Sequence, residues 1–328
     1  GRVEKSLSSV PQAKRGKPVN HIGDSADNLL TPRRSEILGK ANVIAYSSLI
    51  QPKVKGGRET DTPALRIYVT RKVPQAQLAI EDLIPAEIDG VPTDIVVHEM
   101  PHKQLFLGRT YYQRVRPIKP GYSIGHYKVT AGTLGCFGLV NGKDVVLVSN
   151  NHVLANEASI EHPDRAVAND AILQPGALDG GTLANDQAGW LYGWVSLNEA
   201  GPNFMDAAWA WPGTGEGWDA AIQDVGWAGP RREPEIGLLC KKTGRTTGLT
   251  RGKIIDPSVV ILVDYGWAAP VLFEDVLILE PMSQGGDSGS LIVAEDKRAV
   301  GLLFAGSDTM TVVCKLKYLP SELQLIGA

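Results

Sequence analysis

From Gly121 onward the chain breaks into short β-type runs separated by turn residues, and this limits the fold more than any other feature. The runs are 135–140, 145–148, 190–195, 204–211, 259–263, 276–279, 290–293, 300–304 and 311–316. Asn141-Gly142, between the first two, is a two-residue hairpin signal. Many short strands joined by tight turns suit an all-β sandwich or barrel. The 36 glycines and 21 prolines favour the same reading over long helices. At 328 residues the chain is too long for one ordinary core and suits two or three domains.

The front of the chain has another texture. Residues 1–30 are polar and irregular and read as a flexible or loosely docked arm. Residues 31–105 read as a small α/β domain. Thr31-Pro32 opens a helix, 42–47, 64–70 and 93–98 are strand-like, and 78–83 suits a short helix. Residues 101–120 connect this domain to the β-rich part and carry Arg109, Arg114 and Arg116. At the far end, 320–326 is expected as a short helix with Ser321 near its start.

Bulk properties exclude several partners. A net charge of −3 gives no reason to expect nucleic acid. The densest basic cluster, Lys241, Lys242, Arg245, Arg251 and Lys253, reads as a solvated hairpin. No run of eighteen apolar residues occurs, so no membrane partner is expected. The chain starts Gly1-Arg2-Val3-Glu4 without an apolar signal core. Cys136, Cys240 and Cys314 are too sparse for a disulfide framework and lack metal-ligand spacing. Buried thiols, a cytoplasmic location, no metal and no cofactor are the expectations.

The most informative stretch is Gln284-Gly285-Gly286-Asp287-Ser288-Gly289-Ser290. Glycines on both sides of a serine let the backbone turn sharply and bring main-chain N–H groups near a reacting carbonyl. Ser288 can then project its hydroxyl, with the N–H groups of Gly286 and Ser288 aimed at one developing oxyanion. Asp287 needs a cation or several donors if buried, and its expected task is to lock the loop.

Here the sequence resembles the trypsin-like serine peptidases in their bacterial branch, over about 116–325. Gly286-Asp287-Ser288-Gly289 matches the segment that carries the nucleophile in that family. Val148-Ser149-Asn150-Asn151-His152-Val153-Leu154 resembles the strand and short helix that present the histidine, and Met205-Asp206-Ala207-Ala208-Trp209-Ala210 resembles the strand of the aspartate. The order His, Asp, Ser is also the family's. Val300-Gly301-Leu302-Leu303-Phe304-Ala305-Gly306 resembles the strand beside the substrate.

The resemblance implies a mainly β fold: two antiparallel six-stranded β-barrels with the active site between them, preceded by the small α/β domain. The first barrel would span 106–220 with His152 and Asp206, and the second 221–328 with Ser288. It implies a serine endopeptidase in which His152 is general base, Asp206 orients it and Ser288 is nucleophile, through an acyl-enzyme intermediate. Asp219, in Trp218-Asp219-Ala220-Ala221, is the nearest rival to Asp206. Met282 and Ser283 would form the base of the specificity pocket and Phe304, Ala305 and Gly306 one wall. No aspartate stands at that base, so apolar residues are expected there rather than lysine or arginine.

The chain departs from the family in three places. Asn150 and Asn151 stand where two alanines are common, Val153 replaces the usual disulfide partner, and no activation-like cleavage segment precedes the first barrel. Asp287 must therefore find another partner than a freshly cut N-terminus. The alternative reading is a catalytically silent relative that binds peptides or proteins. The expected partner is a peptide or protein substrate, with regulatory contact through the front domain.

Overall fold

The computed structural model describes residues 21–103, 110–215 and 217–326. Two barrels dominate it. In the second, strands Leu239–Gly244, Leu291–Ala294, Arg298–Gly306, Thr311–Lys315, Val271–Leu279 and Gly248–Val263 pair in that spatial order, and the last pairs again with the first. The sheet thus closes on six strands, which removes unpaired edges. In the first barrel, Cys136–Val140, Asp144–Ser149, Ala208–Pro212, Gln187–Trp194, Ala171–Leu173 and Ser123–His126 follow one another. Ser123–His126 then pairs with Gly132–Thr133, whose chain runs on into Cys136–Val140, so this barrel also closes.

Strand periodicity sorts the side chains. On neighbouring strands Phe137 and Leu147 point into the first barrel with Ile124, Ala208 and Ala210. Cys136, Val146 and Val148, one residue out of phase, point the other way into a core shared with Val259, Phe273 and Phe304 of the second barrel. Met282, Ile292, Leu303 and Val313 fill the second barrel's interior. The hairpin expected at Asn141-Gly142 is present, with both residues at positive φ.

The front residues extend the second barrel. Val43–Lys55 pairs antiparallel with Gly248–Val263, with Tyr46 opposite Val260. Arg58–Val69 follows antiparallel, and Val91–Val97 lies parallel beside it. Short helices Asp27–Leu30 and Arg34–Leu38 place Leu30 and Ile37 on this sheet. The α/β texture is therefore real, but its strands continue a barrel sheet. The expected helix at 78–83 is instead two single 3₁₀ turns, Gln75–Gln77 and Ile80–Asp82.

Two further expectations need correction, and one is narrowed. Most of the expected flexible or loosely docked arm, 1–20, lies outside the described residues, but 21–30 is docked: Ala26 N–H donates to Ser48 O at 2.8 Å, and Leu30 is buried. The terminal segment is not a helix; Leu323–Leu325 is a strand paired with Cys136–Val140, so the chain returns to the first barrel. Leu323 and Leu325, two apart, both meet the inter-barrel core, a strand's periodicity and not a helix's. The basic cluster is a solvated hairpin only in part, with Arg251 and Lys253 exposed. Lys242 and Arg245 are fully buried, because each meets a buried carboxylate.

Candidate active site

His152 sits in the one-turn helix Asn151–Leu154, directly after strand Asp144–Ser149. Asp206 lies two residues ahead of Ala208–Pro212, the strand paired with it, so its loop faces that turn. His152 Nδ1 and Asp206 Oδ2 are 2.6 Å apart, and the His152 backbone N–H donates to Oδ1 at 3.3 Å. The carboxylate accepts a third bond, from the Tyr265 hydroxyl at 2.6 Å. Asn150 Nδ2 holds the Asp206 carbonyl at 2.7 Å. Burial alone would push the Asp206 carboxyl up, but His152 and the Tyr265 bond hold it below its ordinary range. Burial and the charge of Asp206 push the Tyr265 hydroxyl well up, so it remains a donor. With Nδ1 on Asp206, Nε2 is the other ring nitrogen, and no hydrogen bond engages it among the described residues.

Ser288 lies on the second barrel, just before Leu291–Ala294. His152, Ser288 and Gly286 line one cleft of about 360 Å³ together with Lys103, Lys128 and Glu157. Ser288 Oγ donates to the Phe304 carbonyl at 3.3 Å, and among the described residues no hydrogen bond joins it to His152. The loop around it is fixed from the first barrel. Thr133 N–H donates to Ser288 O at 2.8 Å, and Thr133 Oγ1 donates to Gly286 O at 2.8 Å. Among the described residues, no hydrogen bond uses the N–H of Gly286 or Ser288, so both remain available to an incoming oxygen. Gly286 has φ +93°, and a Cβ there would meet Thr246 Oγ1 at 2.5 Å. Only glycine fits this corner.

Asp287 points away from the cleft and is completely buried. It accepts from Lys242 Nζ at 3.1 Å, Thr246 N–H at 3.0 Å, Thr247 N–H at 3.1 Å, Thr247 Oγ1 at 2.6 Å and Gln284 N–H at 3.0 Å. Lys242 is the cation the loop requires. Burial pulls its ammonium below the ordinary range, with Asp287 opposing. Nearby, Arg245 pairs with Asp179 of the first barrel, a second buried ion pair that ties the barrels together.

The expected specificity residues divide. Met282 is sunk in the second barrel's interior, and Phe304 packs on Phe273 at 4.5 Å between ring centroids. Ser283 stays half-buried, its hydroxyl 2.9 Å from Thr311 Oγ1. Gly306 has its backbone paired with His102. Asp219 is tied to Lys119 at 2.9 Å and to the Ala221 N–H at 3.0 Å, outside the site. His126 and Asp170 form another close pair, at 3.0 Å, but His126 Nδ1 already accepts the Lys128 N–H, so both ring nitrogens are spent.

Several contributors had no signal in the sequence. Tyr265, Lys242 and Thr247 reach the site from separate strands and loops, and no local motif marks them; Asn150 lies in the histidine segment, but nothing there showed that it would hold Asp206. The three cysteines are free and buried, and burial pushes the thiol of Cys136 up to about 12. No helix among the described residues is long and apolar enough to cross a membrane.

No protein-family model matches the chain, and no curated protein does either. Solved structures do. The bacterial serine proteases are among its structural neighbours. Protease A of Thermobifida fusca is 15% identical with a TM-score of 0.46, covering 63% of this chain and 97% of its own. Chymotrypsin of Cellulomonas bogoriensis is 16% identical with a TM-score of 0.46, over 64% of this chain and 99% of its own. A glutamic acid specific serine protease that uses a histidine triad in substrate binding is 17% identical with a TM-score of 0.45, over 63% and 100%.

Proposed function

We propose that this protein is a serine endopeptidase acting on peptide or protein substrates. The observation that carries the reading is the 2.6 Å contact between His152 and a fully buried Asp206, at the wall of the cleft that holds Ser288. Ser288 Oγ turns from Phe304 O to the free imidazole nitrogen as substrate enters, since such bonds often form only in the loaded site. His152 takes its proton during attack on the carbonyl. Asp206, steadied by Tyr265 and Asn150, holds the imidazole's other N–H and its direction. The N–H groups of Gly286 and Ser288 receive the oxyanion. His152 then protonates the leaving amine, and water hydrolyses the acyl-enzyme.

We place an apolar side chain ahead of the scissile bond, because positions 282–283 and 304–306 carry no carboxylate to hold a basic one. A second reading is a catalytically silent peptide-binding relative, favoured by the Ser288 hydroxyl being engaged by Phe304 O. Incubating a peptide library with the purified protein and with Ser288→Ala, followed by mass spectrometry, separates the two. The peptidase reading expects cleavage, mainly after apolar residues, that vanishes in the variant. Peptide binding without cleavage by the native chain would favour the silent relative.

A further inference from the structure

The strand Arg298–Gly306 is covered unevenly. Leu291–Ala294 pairs with it as far as Leu302, and Ser290 and Gly289 bond to Leu303. Beyond that point the barrel supplies no further strand on this side among the described residues, and this is where Ser288 Oγ meets Phe304 O. An open strand edge beside a nucleophile is where an extended peptide adds as one more strand.

In this protein the edge is filled by the chain's own connector. His102 N–H donates to Gly306 O at 3.1 Å, and Gly306 N–H donates to His102 O at 3.2 Å, a reciprocal antiparallel pair. On the connector's other side, Lys103 N–H donates to Asp264 O at 3.1 Å and Asp264 N–H to Pro101 O at 2.9 Å. Side chains add to the hold. Glu99 N–H donates to Thr309 Oγ1 at 2.9 Å, and Asp308 N–H donates to Glu99 Oε2 at 3.1 Å. Lys103 forms an ion pair with Glu157, itself fixed by Trp267 Nε1 at 2.9 Å. Lys103 also lines the cleft that contains His152 and Ser288.

We propose that residues 99–103 are an internal inhibitory strand that occupies the backbone-binding edge at Gly306, so that a substrate chain must displace it. This rests on the endopeptidase reading. A tethered segment competes at an effective concentration in the millimolar range, so it raises the apparent KM of a substrate that needs the same edge and leaves the chemical step alone.

Two variants loosen the strand by different routes. His102→Pro removes the N–H donated to Gly306, and Glu99→Ala removes the acceptor for the Asp308 N–H. Each is compared with the native chain in KM and kcat on a peptide long enough to place three residues ahead of the scissile bond. The rate of Ser288 labelling by a small fluorophosphonate, which does not need the edge, is measured beside them. We expect KM to fall by about tenfold in both, with kcat and labelling within about twofold. A synthetic peptide of residues 98–103 should restore a high KM to Glu99→Ala by competition. Native-like folding with unchanged KM in both variants, labelling being normal, would overturn the inference and leave the peptidase reading standing. Absence of labelling and turnover in all three proteins would overturn the peptidase reading and this inference with it.

Discussion

Lys242 carries a burden that the sequence hid. A lysine beside another lysine on a hairpin reads as solvated, yet this one is fully buried and neutralises Asp287 beneath the Ser288 loop. Removing one partner of such a pair strands the other charge. Lys242→Met should therefore lose about 3–5 kcal/mol of stability in denaturant titration, together with any activity. If the variant unfolds at the native midpoint, the ammonium is not what holds Asp287. Tyr265→Phe deletes one of the bonds to Asp206 while keeping the ring contacts. It should lower kcat by about tenfold with KM unchanged, as measured by steady-state kinetics. Ser288, His152 and Asp206 were readable as candidates because each sits in a short local pattern. Tyr265 and Asn150 were not, because their roles depend on which loops meet across barrels.

Elements were legible where period two was clean, as in Cys136–Val140 and Asp144–Ser149, whose alternate residues serve two different cores. Leu323–Leu325 was misread because three residues carry too little pattern to separate strand from helix, and its pairing partner lies far back at 138–140. The two barrels approach each other closely at Gly289. Its φ is +95°, and a Cβ would meet Ser149 Oγ at 2.1 Å and Thr133 O at 2.3 Å. Gly289→Ala should thus cost at least about 2 kcal/mol in chemical denaturation, from backbone strain plus overpacking. A neutral result would mean the barrels can part locally without loss.

Across the whole molecule, the front strands are bound to the second barrel as a continuation of its sheet, a pairing between distant residues that no local pattern reveals. Tyr68 marks the junction, donating to the buried Asp256 at 2.7 Å. Burial raises the Asp256 carboxyl from its ordinary 3.8 to about 6. The folded chain therefore holds this proton more tightly than the unfolded one. The stabilisation is complete below about pH 4 and is lost as pH rises through about 6. Asp256→Asn removes that titration. Its melting temperature should gain on the native protein between about pH 4 and 6, by the equivalent of at most about 3 kcal/mol. A gap that opens in the opposite direction would show that the carboxylate is stabilised at this junction.

In the proposed mechanism His152 acts between Asp206 and Ser288. Fluorophosphonate labelling of the native chain and of His152→Ala, with the modified residue mapped by mass spectrometry, addresses this most directly. We predict a single adduct on Ser288 whose formation slows by at least about 10³-fold in the variant. An adduct elsewhere, or labelling of Ser288 at the same rate without the imidazole, would contradict it.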